Sequence, residues 1–531
     1  MYTFTDGTRA FGGTTMRTFN FPAEGVVGRM VARPPSAESL VSGGTPIPAG
    51  DELVVVSNRQ PYSHEYTPDG GIEVDRPVGG LSEALDQVLR RAGGTWVAWG
   101  DGEADRAVVD GDDTVAVPPD DPAYTLRRVW LTDEQVEGYY YGFSNQVLWP
   151  LCHSCLCTVS HDHTSWERYH DVNYRFAEAA IEAADERAVI WFQDYHLGLA
   201  PRIVREQSPD HRLAHFWHVP WPDPETFTLC PHADALLDGL LGNDLLGFHL
   251  PRYVDHFLGS VETCLNGATV DRESRRIHYD GQSTRVEAFP LGVPVKEIHQ
   301  QASRSAEGIW ERLAQRHGLS RRRVAVGVDR LDYTKGIVQR LQGLERLWER
   351  EPRWRGALTY VQIASESRSR IPAYQRVQRE VKSEVERVNH RFGTREWRPI
   401  VFTTEHVPEP ELCRLYRGAD IALVTPLRDG MNLVAQEYVA ANLDSEAALV
   451  LSENAGSHDL LGETAFTVTP FDEDQIATAI RTALTMPPSE RRERSHHLRK
   501  RVRQNDINGW PQRILGALGA ELRASQRQVR R

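Results

Sequence analysis

Lysine is nearly missing from this 531-residue chain. Lys296, Lys335, Lys382 and Lys500 are the whole complement, within a Lys+Arg total of 61. Arginine carries the rest of the positive charge, scattered along the chain rather than gathered into a stripe, and the formal net charge is −13. That distribution excludes the basic footprint of a nucleic-acid binder, so any anion must be gripped locally. It also makes a lysine inside a motif stand out. Cysteine is sparse, six in all, too few for a disulfide framework at this length. No basic-then-apolar leader and no apolar run of about 18 residues occurs, which predicts a soluble, cytoplasmic protein without a membrane partner. The expected partners are small molecules, and self-association into a homo-oligomer is left open. Low complexity is confined to residues 1–50, rich in Gly, Thr, Pro and Ser without periodicity, which read as a flexible N-terminal extension given no function.

What is present is globular: 40% hydrophobic and 25% charged residues can build a large core, and the length exceeds what one core usually covers. The run LVVVSNR, ending at Arg59, is an unbroken apolar segment of the kind buried on both faces of a parallel sheet. A glycine-containing loop and then LSEALDQVLRRAGG follow, the latter with helical spacing and a Gly-Gly stop. The strand pattern recurs at AVIWFQDYHL, HRLAHFWHVPWP and DLLGFHL. After FPLGVPVKEI a second series begins, with strands at RRRVAVGVDR, GALTYVQIA, RPIVFTTEHV, DIALVTPL and AALVLSEN separated by helical stretches. The predicted fold class is α/β, with two doubly wound Rossmann-like domains facing across a cleft. The predicted spans are 51–290, 291–505, and a C-terminal helix over 506–531 packing back toward the first domain.

Polar residues cluster at the C-terminal ends of these strands, where ligands of open α/β sheets bind. In VAVGVDRLDYTKG a buried strand delivers Arg330 and then, five residues on, Lys335. A guanidinium fork and an ammonium point charge together suit a diphosphate leaving group; the alternative is a surface ion pair with Asp329 and Asp332. In TPLRDGMNLVAQEYVAANL a strand ends, a turn carries Asp429 and Gly430, and a helix is predicted from about Met431. The backbone N–H groups of Gly430, Met431, Asn432 and Leu433 at that helix start suit a sugar and its phosphate. Glu437, further along the helix, suits ribose hydroxyls, or is an ordinary helix-face glutamate. Asp194 and His196 in FQDYH and His218 in WHVPWP end strands of the first series and are candidates for gripping sugar hydroxyls, with purely structural roles as the alternative. Arg59, Tyr140, Trp149 and Arg368 suit a phosphate grip beside an aromatic wall, although spacing alone does not link them. Two further segments are weighed and set aside. AVVDGDDT places Asp110 in a nucleophile-like motif but lacks a matching downstream lysine and acidic pair, and reads as a polar loop. CHSCLC with HDH gathers Cys152, Cys155, Cys157, His161 and His163, without the two separated ligand pairs usual for structural zinc. Reactive surface thiols are expected there.

The ordered series SNR, GGL, YGFSNQVLWP, DYHL, HVPWP, LLGF, RLDYTKG, QIASESR, TPLRDGMNLVAQEYVA and NDINGW, from about Leu53 to Trp510, resembles the trehalose-6-phosphate synthase family. The resemblance implies a retaining GT-B hexosyltransferase that moves glucose from a nucleotide-glucose, UDP- or GDP-glucose, to glucose 6-phosphate. It implies that Gly80, Arg330, Lys335 and the Asn432–Leu433 backbone contact the donor diphosphate. By the same token Asp429 and His218 contact the transferred glucose, Glu437 the ribose, and Arg59, Tyr140, Trp149, Asp194 and Arg368 the acceptor. Arg330, Lys335, Asp194 and His218 are the expected catalytic set, with no metal and no cofactor. Departures are Gln193, where the family commonly has His, Gln436, where it often has Lys, a longer loop from Gln60 to Val78, and the cysteine-histidine insert. A synthase using another phosphorylated acceptor such as glycerol 3-phosphate, and a non-catalytic regulatory subunit, are the alternatives. The donor base, whether uracil, guanine or adenine, is left open, because such folds read it largely through backbone groups.

Overall fold

The structure, a computed structural model, describes residues 52–76, 80–304, 309–319, 322–444 and 446–529. The predicted N-terminal extension lies outside the described residues. In the first half the strands are β1 Leu53–Ser57, β2 Ser63–Tyr66, β3 Ile72–Asp75, β4 Thr95–Trp99, β5 Thr114–Val117 and β6 Tyr124–Val129. They continue with β7 Val189–Gln193, β8 Arg212–Phe216, β9 Leu245–Phe248, β10 Thr269–Asp271, β11 Arg276–Tyr279 and β12 Gln282–Ala288. The second half holds β13 Arg323–Arg330, β14 Leu358–Ser365, β15 Ile400–Thr403, β16 Ile421–Val424, β17 Leu449–Ser452 and β18 Phe466–Val468. β2 and β3 form an antiparallel hairpin inside the stretch read from sequence as a loop. Its second strand is fully exposed, so it lacks the apolar run by which the buried strands announce themselves.

The first sheet has the order β10-β11-β12-β9-β8-β7-β1-β4-β6-β5, parallel from β12 through β6, with antiparallel pairs only at its two edges. The second has the order β15-β14-β13-β16-β17-β18 and is parallel throughout. Helices cover both faces of each, which is why β1, β7, β16 and β17 are buried at every position and read as continuous apolar runs. Strand order also dictates where a crevice opens. From β1 the chain moves outward to β4 and β6, then returns to β7 on the other side; from β13 it moves to β14 and β15, then returns to β16. The loops leaving β1 and β7, and those leaving β13 and β16, therefore diverge to opposite faces and leave a gap at the strand C-termini.

The chain passes between the halves side by side at two places. Asn505 Nδ2 donates to Leu291 O at 3.2 Å and Ile507 N to Val293 O at 3.2 Å. A Cβ on Gly292 would lie 1.4 Å from Asn505 O, so only glycine permits this crossing. Beyond it, helix Trp510–Val529 places Trp510, Ile514, Leu515 and Leu518 in one apolar cluster with Leu53, Val55, Trp191 and Phe216 of the first sheet. Trp510 is fully buried, 5.3 Å from Trp191 and 4.8 Å from Phe216 between ring centroids, and its Nε1–H donates to Phe289 O at 3.1 Å. Trp510→Ala should thus cost about 3–5 kcal/mol through the cavity it leaves. Denaturant unfolding should show it as an earlier first transition, with Trp510→Phe milder. An unchanged midpoint for Trp510→Ala would mean that this helix is not part of the first domain's core.

Candidate active site

A cavity of about 290 Å³ lies where the two gaps meet, lined by residues from both halves. Arg59, Tyr140, Trp149, Asp194, His196 and His218 line it from the first half, and Arg330, Lys335, Arg368, Asp429 and Gly430 from the second. Met431, Asn432, Leu433 and Glu437 are not among its lining residues. Gly80 opens helix Gly80–Ala92, directly after residues that are not described. The turn after β16 leads into helix Leu433–Ala441, which starts later than predicted because Asn432 takes a left-handed φ of +63° that a helix cannot include. Glu437 is half-buried, accepts from Tyr416 Oη at 3.2 Å, and is pushed up to about 7, by burial first and then by Glu409.

Arg59 leaves β1 through a pinned turn. Trp96 Nε1 donates to Ser57 Oγ at 2.8 Å, Ser57 Oγ donates to Arg59 O at 2.6 Å, and Tyr139 Oη donates to Asn58 Oδ1 at 3.0 Å. Tyr140 sits in a π-helix, Val136–Leu148. The wide turns are supported by side chains reaching five residues back: Asn145 Nδ2 to Tyr140 O at 2.7 Å and Gln146 Nε2 to Tyr141 O at 3.1 Å. Such helices are rare and concentrate at functional sites. Burial alone would raise the Tyr140 phenol, but the Arg368 and Arg59 charges outweigh it and bring it down to about 8. Trp149 offers its ring to two cations, Arg368 at 4.1 Å and Arg330 at 5.2 Å. Arg368 is fixed further by donating to Tyr374 Oη at 2.5 Å and Tyr195 Oη at 3.1 Å.

Asp194 takes a φ of +69° immediately after β7. Its carboxylate accepts from His218 N at 3.1 Å and is pushed up to about 6, by burial above all. His218 is held well below its ordinary value by burial and is neutral. Lys335 Nζ lies 2.5 Å from Asp429 Oδ2, which also accepts from Asn432 Nδ2 at 3.0 Å. The surface-pair alternative for Lys335 therefore fails: its partner is the cavity-lining Asp429, both side chains are largely buried, and Asp329 is engaged by the fully buried Arg340 at 2.5 Å. Arg340 also donates to Thr425 Oγ1 at 2.9 Å and Lys335 O at 3.2 Å, tying the ends of β13 and β16 together under the lysine. Gly430 allows the halves to touch, since a Cβ there would lie 2.4 Å from His218 O.

Several lining residues were not singled out from sequence. His153 packs against Trp149 with its ring tilted by 30° at 4.2 Å between centroids and is held down to about 4 by burial. Tyr195, also in the lining, holds Arg368 together with Tyr374, which lies behind it; Asp332, read from sequence only as a surface ion-pair partner, sits fully buried behind Arg330, Lys335 and Arg368. Asp332 was visible inside RLDYTKG, but Tyr374 has no local signal. The expectation of reactive surface thiols is corrected: Cys152 is buried with its thiol well above the ordinary value, Cys155 is pushed up to about 12 by burial, and of the three only Cys157 is exposed. Among the described residues no group of three or more His, Cys, Asp or Glu is placed to hold a metal ion. Asp110 accepts from Thr114 N at 2.9 Å in an exposed turn.

Known proteins resemble this chain in sequence and fold. The description of glycosyltransferase family 20 matches residues 51–520. A trehalose-6-phosphate synthase of Mycobacterium sp. strain KMS is 37% identical over 500 residues, covering 92% of this chain and all of the relative. An E. coli structure bound with UDP-2-fluoro glucose superposes with a TM-score of 0.79 at 34% identity, over 88% of this chain and 99% of that one. An alpha,alpha-trehalose-phosphate synthase (UDP-forming) from Burkholderia xenovorans, solved with glucose-6-phosphate, gives 0.78 at 32% over 88% of this chain and 100% of that one. Two facing α/β domains of the GT-B type, with the family motifs gathered at their common cavity, agree with these matches. The chain therefore belongs to glycosyltransferase family 20, the trehalose-6-phosphate synthases.

Proposed function

We propose that the enzyme transfers glucose from UDP- or GDP-glucose to glucose 6-phosphate with retention, giving α,α-trehalose 6-phosphate. The observation that carries this reading is the meeting of two cation sets in one cavity, Arg330 with Lys335, and Arg368 with Arg59 beside Tyr140. Two anionic groups call for two such sets: a diphosphate that leaves and a phosphate that only anchors the acceptor. The relatives solved with UDP-2-fluoro glucose and with glucose-6-phosphate support the same division. Six free cysteines suit a reducing compartment such as the cytoplasm.

In this scheme the donor diphosphate lies against Arg330, Lys335 and the start of helix Leu433–Ala441, where cations and backbone N–H groups stabilise charge growing on the leaving oxygen. Asp429, kept ionised by Lys335 although burial opposes it, accepts hydroxyls of the transferred glucose. Glu437 takes the ribose. The acceptor phosphate meets Arg59, Tyr140 and Arg368, and Asp194 receives an acceptor hydroxyl. The attacking hydroxyl approaches on the face the diphosphate leaves, and a diphosphate oxygen takes its proton. The configuration is thereby kept without a nucleophilic carboxylate. Two cations neutralise the leaving group, so we expect EDTA to leave most activity; complete loss restored by magnesium or zinc would overturn that part.

Glucose 6-phosphate should be required for rapid turnover, and equal rates with unphosphorylated glucose would sink the acceptor assignment. Lys335→Ala should lower the turnover number about a hundred- to a thousandfold, about 3–4 kcal/mol in barrier, with a much smaller change in nucleotide affinity. Lys335→Arg should restore only part of it. Calorimetry with the nucleotide beside steady-state kinetics separates these, and a turnover number within about threefold of the parent would place the diphosphate elsewhere. The pH profile gives a third test. Tyr140 ionises as pH rises through about 8, which puts a negative charge where the acceptor phosphate must sit and occupies the Arg59 and Arg368 cations. kcat/KM for glucose 6-phosphate should fall along that limb. In Tyr140→Phe the limb should vanish; its persistence would show that another group titrates.

A further inference from the structure

Gln193, the last residue of β7, is 1% exposed and lines the cavity, although it and its neighbour Asp194 would face opposite ways along an undisturbed strand. The left-handed backbone at Asp194 breaks the alternation and lets both side chains address the same space. The Gln193 carboxamide is half used. Its Oε1 lies 3.0 Å from Nε2 of His218, which burial keeps neutral with a single N–H to give. Its Nε2 has no partner and no contact with solvent. A buried amide N–H without an acceptor is costly, and at the wall of a binding cavity the acceptor is a ligand atom. The surroundings define which. The amide is uncharged, whereas the phosphate-binding positions of this cavity are arginines and a lysine. It is hydrogen-bonded to the ring of His218, the residue whose backbone carbonyl meets Gly430 next to Asp429.

We propose that Gln193 is a specificity-determining residue whose carboxamide N–H donates to one hydroxyl of the transferred hexose, while its oxygen fixes the tautomer and ring orientation of His218. This rests on the hexosyl-transfer reading above. The hydrogen bond that the amide oxygen accepts from His218 makes the two side chains a single reader: one end anchored to the imidazole, the other held at a set point in the cavity wall. Misplacing the hydroxyl by epimerisation, or deleting it, leaves the amide unpaired again, which is how a polar pocket rejects a near-identical sugar.

The test uses the full-length enzyme, the nucleotide-glucose it turns over, and the 2-, 3-, 4- and 6-deoxy analogues of that donor. In the parent, one deoxy position should lower kcat/KM about 10- to 100-fold. In Gln193→Met, which keeps the volume without the amide, and in Gln193→Glu, which keeps an acceptor for His218 without the donor, the same deletion should cost less than about threefold. Penalties at every position equal in parent and both variants would overturn the proposal, even if overall rates fall, because a residue acting only through packing lowers all donors alike. Two variants guard against one failing to fold, checked by thermal melting and nucleotide binding. A parent that transfers no hexose from any donor would instead defeat the underlying reading.

Discussion

Arg330, Lys335 and Arg368 bring like charges into one cavity around a fully buried carboxylate. Such a cluster repels itself unless an opposite charge is built in, because the same low dielectric that sharpens attraction sharpens repulsion. Asp332 supplies that charge. It is fully buried, 4.0 Å from Arg330 and 3.9 Å from Arg368, and the three cations hold it ionised although burial opposes it. Its remaining lone pairs are taken by Thr334 N at 3.0 Å, Thr334 Oγ1 at 3.0 Å and Tyr374 Oη at 3.2 Å. The cations can then stay charged and fixed with their outer faces turned to the cavity, which is what preorganised stabilisation of a growing anion requires.

That arrangement follows from strand order. Each parallel sheet reverses its direction of growth once, between β1 and β7 in the first and between β13 and β16 in the second. The divergence at those two points opens the gaps from which Arg59, Asp194, Arg330 and the Asp429–Gly430 turn reach the cavity. Arg340 makes the second gap rigid by tying Asp329, at the end of β13, to Thr425, just past β16. The first is stiffened by the π-helix, which is tied to the loop after β1 by Tyr139 Oη donating to Asn58 Oδ1 at 3.0 Å and to the loop after β7 by Tyr195 Oη donating to Asn145 Oδ1 at 2.9 Å.

The strands that carry the site were readable because burial on both faces writes itself as an apolar run. The functional residues at their ends were readable because the chain there turns abruptly polar, as in VDRLDYTKG and TPLRDG. The hairpin at β2 and β3 was not, since an exposed strand has no apolar face to display. Tyr374, Tyr195 and Arg340 escaped notice for another reason. They act by touching residues far away in sequence, and nothing local distinguishes a tyrosine that steadies Arg368 from one that merely fills a core. Asn432 hid the helix start, because left-handed backbone at a non-glycine residue is chosen by its surroundings rather than by its type.

The contrast between lysine and arginine in this chain then acquires a physical sense. Arg340 and Arg368 are held by several partners in a fixed plane, which suits a guanidinium fork used as scaffold and, in the proposed reaction, as phosphate grip. Lys335 is held by one, Asp429, whose Oδ2 it shares with Asn432. In the proposed reaction an incoming diphosphate would compete with a single carboxylate for that ammonium, so the charge would be redistributed toward the leaving oxygen without dismantling a network. The released carboxylate of Asp429 is meanwhile left beside the space where sugar hydroxyls must be received. A chain with four lysines has put one of them at the position where a mobile point charge does what a planar, multiply anchored fork cannot.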